Sequence, residues 1–143
     1  MDKKTLEIII GKVIKKLTKN DPDLLKNNLH ERTIVHKFAC YLQELFLNYS
    51  VDVEYNRQRS DSKLPKKSAY QDVIIHKRGS NYNNLLVIEI KKSNSDDKNP
   101  NINRYLVDSS LKYQYGLYLE FGVGNNFGAN KLKWFPEIEE LSK

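Results

Sequence analysis

Asp72, Glu89 and Lys91 have the residue types and the spacing to do chemistry together. Asp72 stands in the run Gln71-Asp72-Val73-Ile74-Ile75-His76, and Glu89 and Lys91 close the run Leu85-Leu86-Val87-Ile88-Glu89-Ile90-Lys91. Both runs are short and apolar, so they read as β-strands over 71–77 and 85–91. Side chains alternate along a strand, so Glu89 and Lys91 share one face of their strand, and Asp72, Ile74 and His76 share one face of theirs. A carboxylate and an ammonium ending an apolar strand are costly unless paired, hydrated or bound to a metal. Between the runs lies Arg78-Gly79-Ser80-Asn81-Tyr82-Asn83-Asn84, whose Gly and Asn residues tolerate turn geometry and predict a hairpin. A hairpin brings both carboxylates and the lysine into one cleft, where they can hold a divalent cation and activate a water. His76 is expected at the rim of that cleft rather than as a ligand.

Helical periodicity upstream supplies a further acid. A helical segment is predicted from about Asp23 to Leu47, broken near Asn27-Asn28, with Leu24, Leu25, Ile34, Val35, Phe38, Leu42, Leu45 and Phe46 apolar. Glu31 joins the series 31, 35, 38, 42, 45, a single helical face. A glutamate aimed at a core needs a partner. The same residue near a helix N-terminus is also favoured by the helix dipole alone.

An aspartate, a turn and then Glu-X-Lys on the next strand resemble the signature of the PD-(D/E)XK nuclease superfamily. Here the pattern reads Gln71-Asp72 followed by Glu89-Ile90-Lys91, and the resemblance spans roughly residues 28–121. Gln71 replaces the family's usual proline, at a position that touches no metal ligand. The resemblance implies an α/β, restriction-endonuclease-like core. That core is a central mixed four- to five-stranded sheet flanked by helices, a β-meander plus a parallel strand reached through a crossover helix. It implies a DNA endonuclease that depends on Mg²⁺ or Mn²⁺, cations suited to hard oxygen ligands. Asp72 and Glu89 would be direct ligands, with the Ile90 carbonyl also facing the metal and Glu31 a further ligand, direct or through water. Lys91 would orient or deprotonate the attacking water, or stabilise charge on the phosphorane. Small basic members of the superfamily include homodimeric resolvases of branched DNA. No residue here demands a junction, so substrate structure, a homodimer and a separate recognition partner stay open. The competing reading is a non-catalytic nucleic-acid-binding or assembly module that retains the fold.

The rest of the chain predicts the elements that position these residues. Residues 3–18 form an amphipathic helix, an accessory to a single domain over 1–143. Val51 to Tyr55 is a strand with Asp52 and Glu54 on one face. Residues 56–69 are an aperiodic basic loop, in which Arg57, Arg59, Lys66 and Lys67 either grip phosphates or stay solvated. A helical stretch over 101–113 turns Ile102, Tyr105 and Leu106 inward and carries Arg104 as a candidate phosphate clamp, with Asn101 and Tyr105 one turn apart. Gln114, Tyr113 and Tyr115 follow it, as polar groups toward substrate or as core. Gly116 to Phe121 is a strand, 122–130 a Gly/Asn loop, Lys131 to Phe135 a short edge strand, and the tail is acidic. Strand, helix, strand over 85–121 predicts a right-handed crossover between parallel strands.

Composition narrows the partners. The 143 residues suit one domain, and 24 basic against 18 acidic side chains leave a net charge of +6. That surplus favours a polyanionic partner, which the family resemblance implies is DNA, although a Lys/Asn-rich composition produces the same surplus with no partner. The single cysteine, Cys40, excludes an internal disulfide and a Cys-based zinc site, and is expected to be a buried packing thiol. No apolar run approaches the ~18 residues of a membrane span, and Ile8-Ile9-Ile10 is too short for a signal sequence. A cytoplasmic protein with no membrane partner is therefore predicted.

Overall fold

Leu6, Ile10, Val13 and Leu17 recur at helical spacing and bury one side of the first helix, α1 (Lys3–Asn20). Its N-cap is Asp2, whose carboxylate accepts the Thr5 N–H at 2.9 Å. The structure, a computed structural model, describes residues 1–55, 57–58, 61–62, 71–80, 83–98, 102, 106 and 112–136. Pro22, tolerated in a first helical turn, opens the short α2 (Pro22–Lys26). The break predicted near Asn27-Asn28 is present: Asn28 takes a left-handed φ of 52°, which asparagine tolerates. Helix α3 (Glu31–Leu45) then begins, with His30 Nδ1 accepting the Arg32 N–H at 3.2 Å.

The buried residues of α3 are Ile34, Val35, Phe38, Ala39 and Leu42. Two expectations on this helix are corrected. Leu45 is 46% exposed, because the helix ends there and Phe46 takes the core position instead. Cys40 is exposed rather than packed, with Sγ 3.7 Å from His36 Nε2. Positions 38, 39 and 42 face inward, and two residues on from 38 the helix has turned by roughly 200°.

Five strands form one mixed open sheet: β1 (Ser50–Tyr55), β4 (Gln71–His76), β5 (Leu86–Lys92), β6 (Tyr115–Phe121) and β7 (Lys131–Phe135), in that spatial order. Pairing is antiparallel except between β5 and β6, which run parallel from Leu86↔Tyr115 to Lys92↔Phe121. Such a pair requires a crossover, and most of the helix predicted over 101–113 lies outside the described residues. The predicted basic loop contains a small ladder, β2 (Arg57–Gln58) with β3 (Asp61–Ser62); strands of two residues are too short to leave a period in the sequence.

The sheet is apolar on both faces. One face packs Val73, Ile75, Leu86, Ile88, Ile90, Leu117, Leu119 and Phe121 into a core shared with α1 and α3. The other buries Ile74, Val87, Ile102, Tyr113, Tyr118 and Phe135. Gly116 permits this second packing: a Cβ there would lie 2.1 Å from Ile102 Cγ2. Among the described residues no helix is long and apolar enough to cross a membrane.

His76 is also corrected: it is buried, with Nε2 2.7 Å from Asp52 Oδ2. Arg78 closes on the same carboxylate through Nε at 2.9 Å and through Nη2. Burial pushes the Asp52 carboxyl up, but the hydrogen bonds and charges of Arg78 and His76 outweigh it and hold the group well below the usual carboxylate range. A depressed carboxyl stabilises the fold above its unfolded pKa of 3.8 and loses that contribution as pH falls toward its folded value. Asp52→Ala is therefore expected to cost about 2–3 kcal/mol at pH 7, by stranding a buried histidine. Denaturant melts should show the deficit shrinking below pH 4, and a deficit that is the same at pH 7 and pH 2 would contradict this assignment.

Candidate active site

The first two members of the site are joined by the way β4 and β5 part. Their registered pairs run from Ile75↔Leu86 to Val73↔Ile88. One residue further, the Asp72 carboxylate accepts the Ile90 N–H at 2.7 Å. A side-chain oxygen thus takes a backbone donor at the end of the ladder, as short polar side chains readily do. That bond fixes Asp72 against the Glu89-Ile90-Lys91 segment. Ile90 anchors the segment with a side chain buried in the main core, while Glu89 and Lys91 flank it on the other face, each half-buried.

Glu31 arrives from the start of α3. It is half-buried and shares a cavity of about 140 Å³ with His30, Arg32, Val35 and Asp72. Lys92 ties this helix start to the end of β5, its Nζ donating to the Leu29 carbonyl at 3.3 Å. The helix-stripe reading and the helix-dipole reading of Glu31 both describe its place: it is the first helical residue, and it faces Asp72.

Electrostatics bind the four residues into one unit. Burial is the largest influence on Asp72, and it raises the pKa. The Ile90 N–H lowers it, Glu89 and Glu31 raise it, Lys91 lowers it, and the balance pushes the carboxyl up from 3.8 to about 6. Glu31, Glu89 and Lys91 thus all lie close enough to Asp72 to act on its charge. Among the described residues, however, no three His, Cys, Asp or Glu side chains converge closely enough to hold a metal ion. The donor chemistry nevertheless fits a hard dication, since the acids around Asp72 offer only oxygen and a cation would relieve the crowding of like charges.

The remaining candidates fall elsewhere. Tyr113 is buried and Tyr115 half-buried against the two cores, so both are packing residues, whereas Gln114 is exposed. Arg57 falls in β2. Arg59, Lys66, Lys67, Asn101, Arg104 and Tyr105 lie outside the described residues.

Two residues beside the site escaped sequence reasoning. In the parallel register Glu89 is paired with Tyr118 and Lys91 with Glu120. Glu120 is 4% exposed, and the Tyr118 hydroxyl donates to its Oε1 at 3.3 Å. Burial first, then Glu120, then Glu89 and Asp97, push the Tyr118 phenol up to about 12, so it remains a donor. The signal was available: a glutamate inside the apolar strand Gly116 to Phe121 is the same anomaly that singled out Glu89.

No family model, curated protein or solved structure matches this chain. The functional reading therefore rests on the chemistry of the site, not on kinship.

Proposed function

We propose that the chain is a metal-dependent nuclease of the PD-(D/E)XK type, with a restriction-endonuclease-like fold, that hydrolyses DNA phosphodiester bonds. The supporting observation is Asp72: a half-buried carboxyl near Glu89, Glu31 and Lys91 and fastened to the Ile90 N–H. A structural role explains this poorly, because crowding acids around a half-buried carboxylate destabilises a fold. Active sites accept that cost for function.

Asp72 and Glu89 would hold Mg²⁺ or Mn²⁺, with Glu31 a further ligand directly or through water and the Ile90 carbonyl beside it. The cation would supply charge that polarises the phosphate and acidifies water. Lys91 extends from the same strand face as Glu89, two residues on. Its ammonium donates to a phosphate oxygen and offsets the charge that grows there during attack. The Ile90 N–H holds the Asp72 carboxylate in one orientation throughout.

A second reading, a nucleic-acid-binding or assembly module of the same fold, draws support from the lack of a convergent ligand group among the described residues. Incubating the protein with plasmid, linear and branched DNA, and with RNA, separates the two. Cleavage with Mg²⁺ or Mn²⁺ that a chelator stops is the nuclease result. Binding without cleavage under every metal condition favours the module.

A further inference from the structure

Glu120 does not belong to the proposed ligand set, yet it is the most buried acid beside it. It opens onto a cavity of about 180 Å³ lined by Ser93, Lys98, Glu120, Asn126, Ala129 and Lys131. A carboxylate this deeply placed needs compensation. The Tyr118 hydroxyl supplies some, and Lys98 supplies more, with Nζ 3.6 Å from Oε1. The Glu120 side chain is 6% exposed and that of Lys98 41% exposed, so the carboxylate holds an ammonium at the mouth of the cavity. Lys131 stands beside Glu120 on β7, in register with it, and is exposed. Two lysines against one carboxylate leave the cavity net positive.

Its remaining walls offer hydrogen-bond donors. Ser93 Oγ accepts the Val123 N–H at 3.0 Å, which leaves its own proton to donate. Asn126 carries a side-chain amide. The frame is fixed by backbone contacts: Ser93 N–H donates to the Phe121 carbonyl at 2.8 Å and Gly122 N–H to Asn130 Oδ1 at 3.0 Å. A Cβ on Gly122 would sit 1.9 Å from the Asn126 carbonyl oxygen, so the loop folds closely over the strand end. A lysine held in advance by a buried carboxylate, as Lys98 is by Glu120, suits a tetrahedral oxyanion better than a mobile surface lysine does.

The cavity is also placed along one line with the cleavage site. Glu120 is one strand from Lys91, and Lys131 one strand further, about 10 Å away at ordinary strand spacing. We propose that this cavity is a phosphate subsite: Lys98, Lys131, Ser93 and Asn126 hold a backbone phosphate of the nucleic-acid strand next to the scissile one, and Glu120 positions Lys98. The proposal rests on the nuclease reading for the identity of its ligand, but its test does not depend on cleavage.

Affinity for a fluorescein-labelled DNA duplex is measured by anisotropy in EDTA across a range of NaCl concentrations. Each phosphate neutralised contributes about 0.9 to the slope of log affinity against log salt for duplex DNA. Lys98→Ala/Lys131→Ala removes the hold on one phosphate and is expected to shallow that slope by about 0.9 and to weaken binding at least tenfold at low salt. A matched pair on α1, Lys12→Ala/Lys15→Ala, controls for net charge and is expected to leave the slope nearly unchanged. Circular dichroism melts confirm that each variant is folded, and Lys98→Met/Lys131→Met, which keeps the aliphatic stems, replaces an alanine pair that is not. An unchanged slope in the folded cavity variant, an equal loss in the α1 pair, or no DNA binding by the wild type would overturn the subsite. Metal-dependent cleavage with an unchanged slope would refute the subsite alone, and a shallowed slope without cleavage would support it while refuting the nuclease.

Discussion

Asp72→Asn is expected to make the metal-free protein more stable at neutral pH while abolishing cleavage. The wild-type carboxyl titrates at 3.8 unfolded and about 6 folded. A raised carboxyl favours the folded state fully below pH 3.8, and that advantage is lost as pH rises through 6. At pH 7.5 the folded protein carries a charge it holds poorly, at about 1.4 kcal/mol per unit of pKa, or about 2–3 kcal/mol in all. Asparagine keeps the shape and an acceptor oxygen for the Ile90 N–H, and removes the charge. Melts in EDTA should show Asp72→Asn gaining several degrees at pH 7.5 and nothing at pH 3.5. A lower melting temperature at pH 7.5 would show that Asp72 is a structural residue and contradict its place in the site. Stability gained where activity is lost is the pattern of a group kept for function.

Lys91→Ala carries the second large effect. Removing a preorganised donor from a developing oxyanion typically costs 10²–10³-fold in rate, about 3–4 kcal/mol of barrier. The variant should bind Mn²⁺ at least as tightly as the wild type, because a cation has left the neighbourhood of the ligands. Lys91→Arg should recover little, since a planar guanidinium does not place its charge where an ammonium does. Single-turnover cleavage with saturating metal reads this directly. A loss under tenfold would reduce Lys91 to a strand-end partner of Glu120, with which it is in register.

The features of the fold that are legible in the sequence share one cause: each is carried by local periodicity. The helical phase of Leu6 to Leu17, the break at Asn28 and the apolar runs around Asp72 and Glu89 all show along the chain, and they predict the order of elements and the parallel β5–β6 pair. Glu31, Asp72, Glu89 and Lys91 could be selected because each is a polar anomaly in an apolar pattern. What stayed hidden depends on pairing across distance. His76 is buried with its ring against Asp52, 24 residues earlier, on the neighbouring strand. Lys98 acquires its meaning from Glu120, which a crossover brings back beside Lys91. Cys40 was misplaced for a simpler reason: its neighbours Phe38, Ala39 and Leu42 are apolar, but the helical phase turns position 40 outward.

In the proposed nuclease, Glu89 and Asp72 hold a cation that drives phosphodiester cleavage. Nicking of supercoiled plasmid by wild type and Glu89→Ala, side by side in Mg²⁺, tests it most directly. The wild type should nick the plasmid until EDTA is added, and a Glu89→Ala protein with an unchanged circular dichroism spectrum should be slower by at least 10³-fold. Equal nicking by both proteins would contradict it, as would a wild type that binds the plasmid and leaves it intact in Mg²⁺ and Mn²⁺ alike.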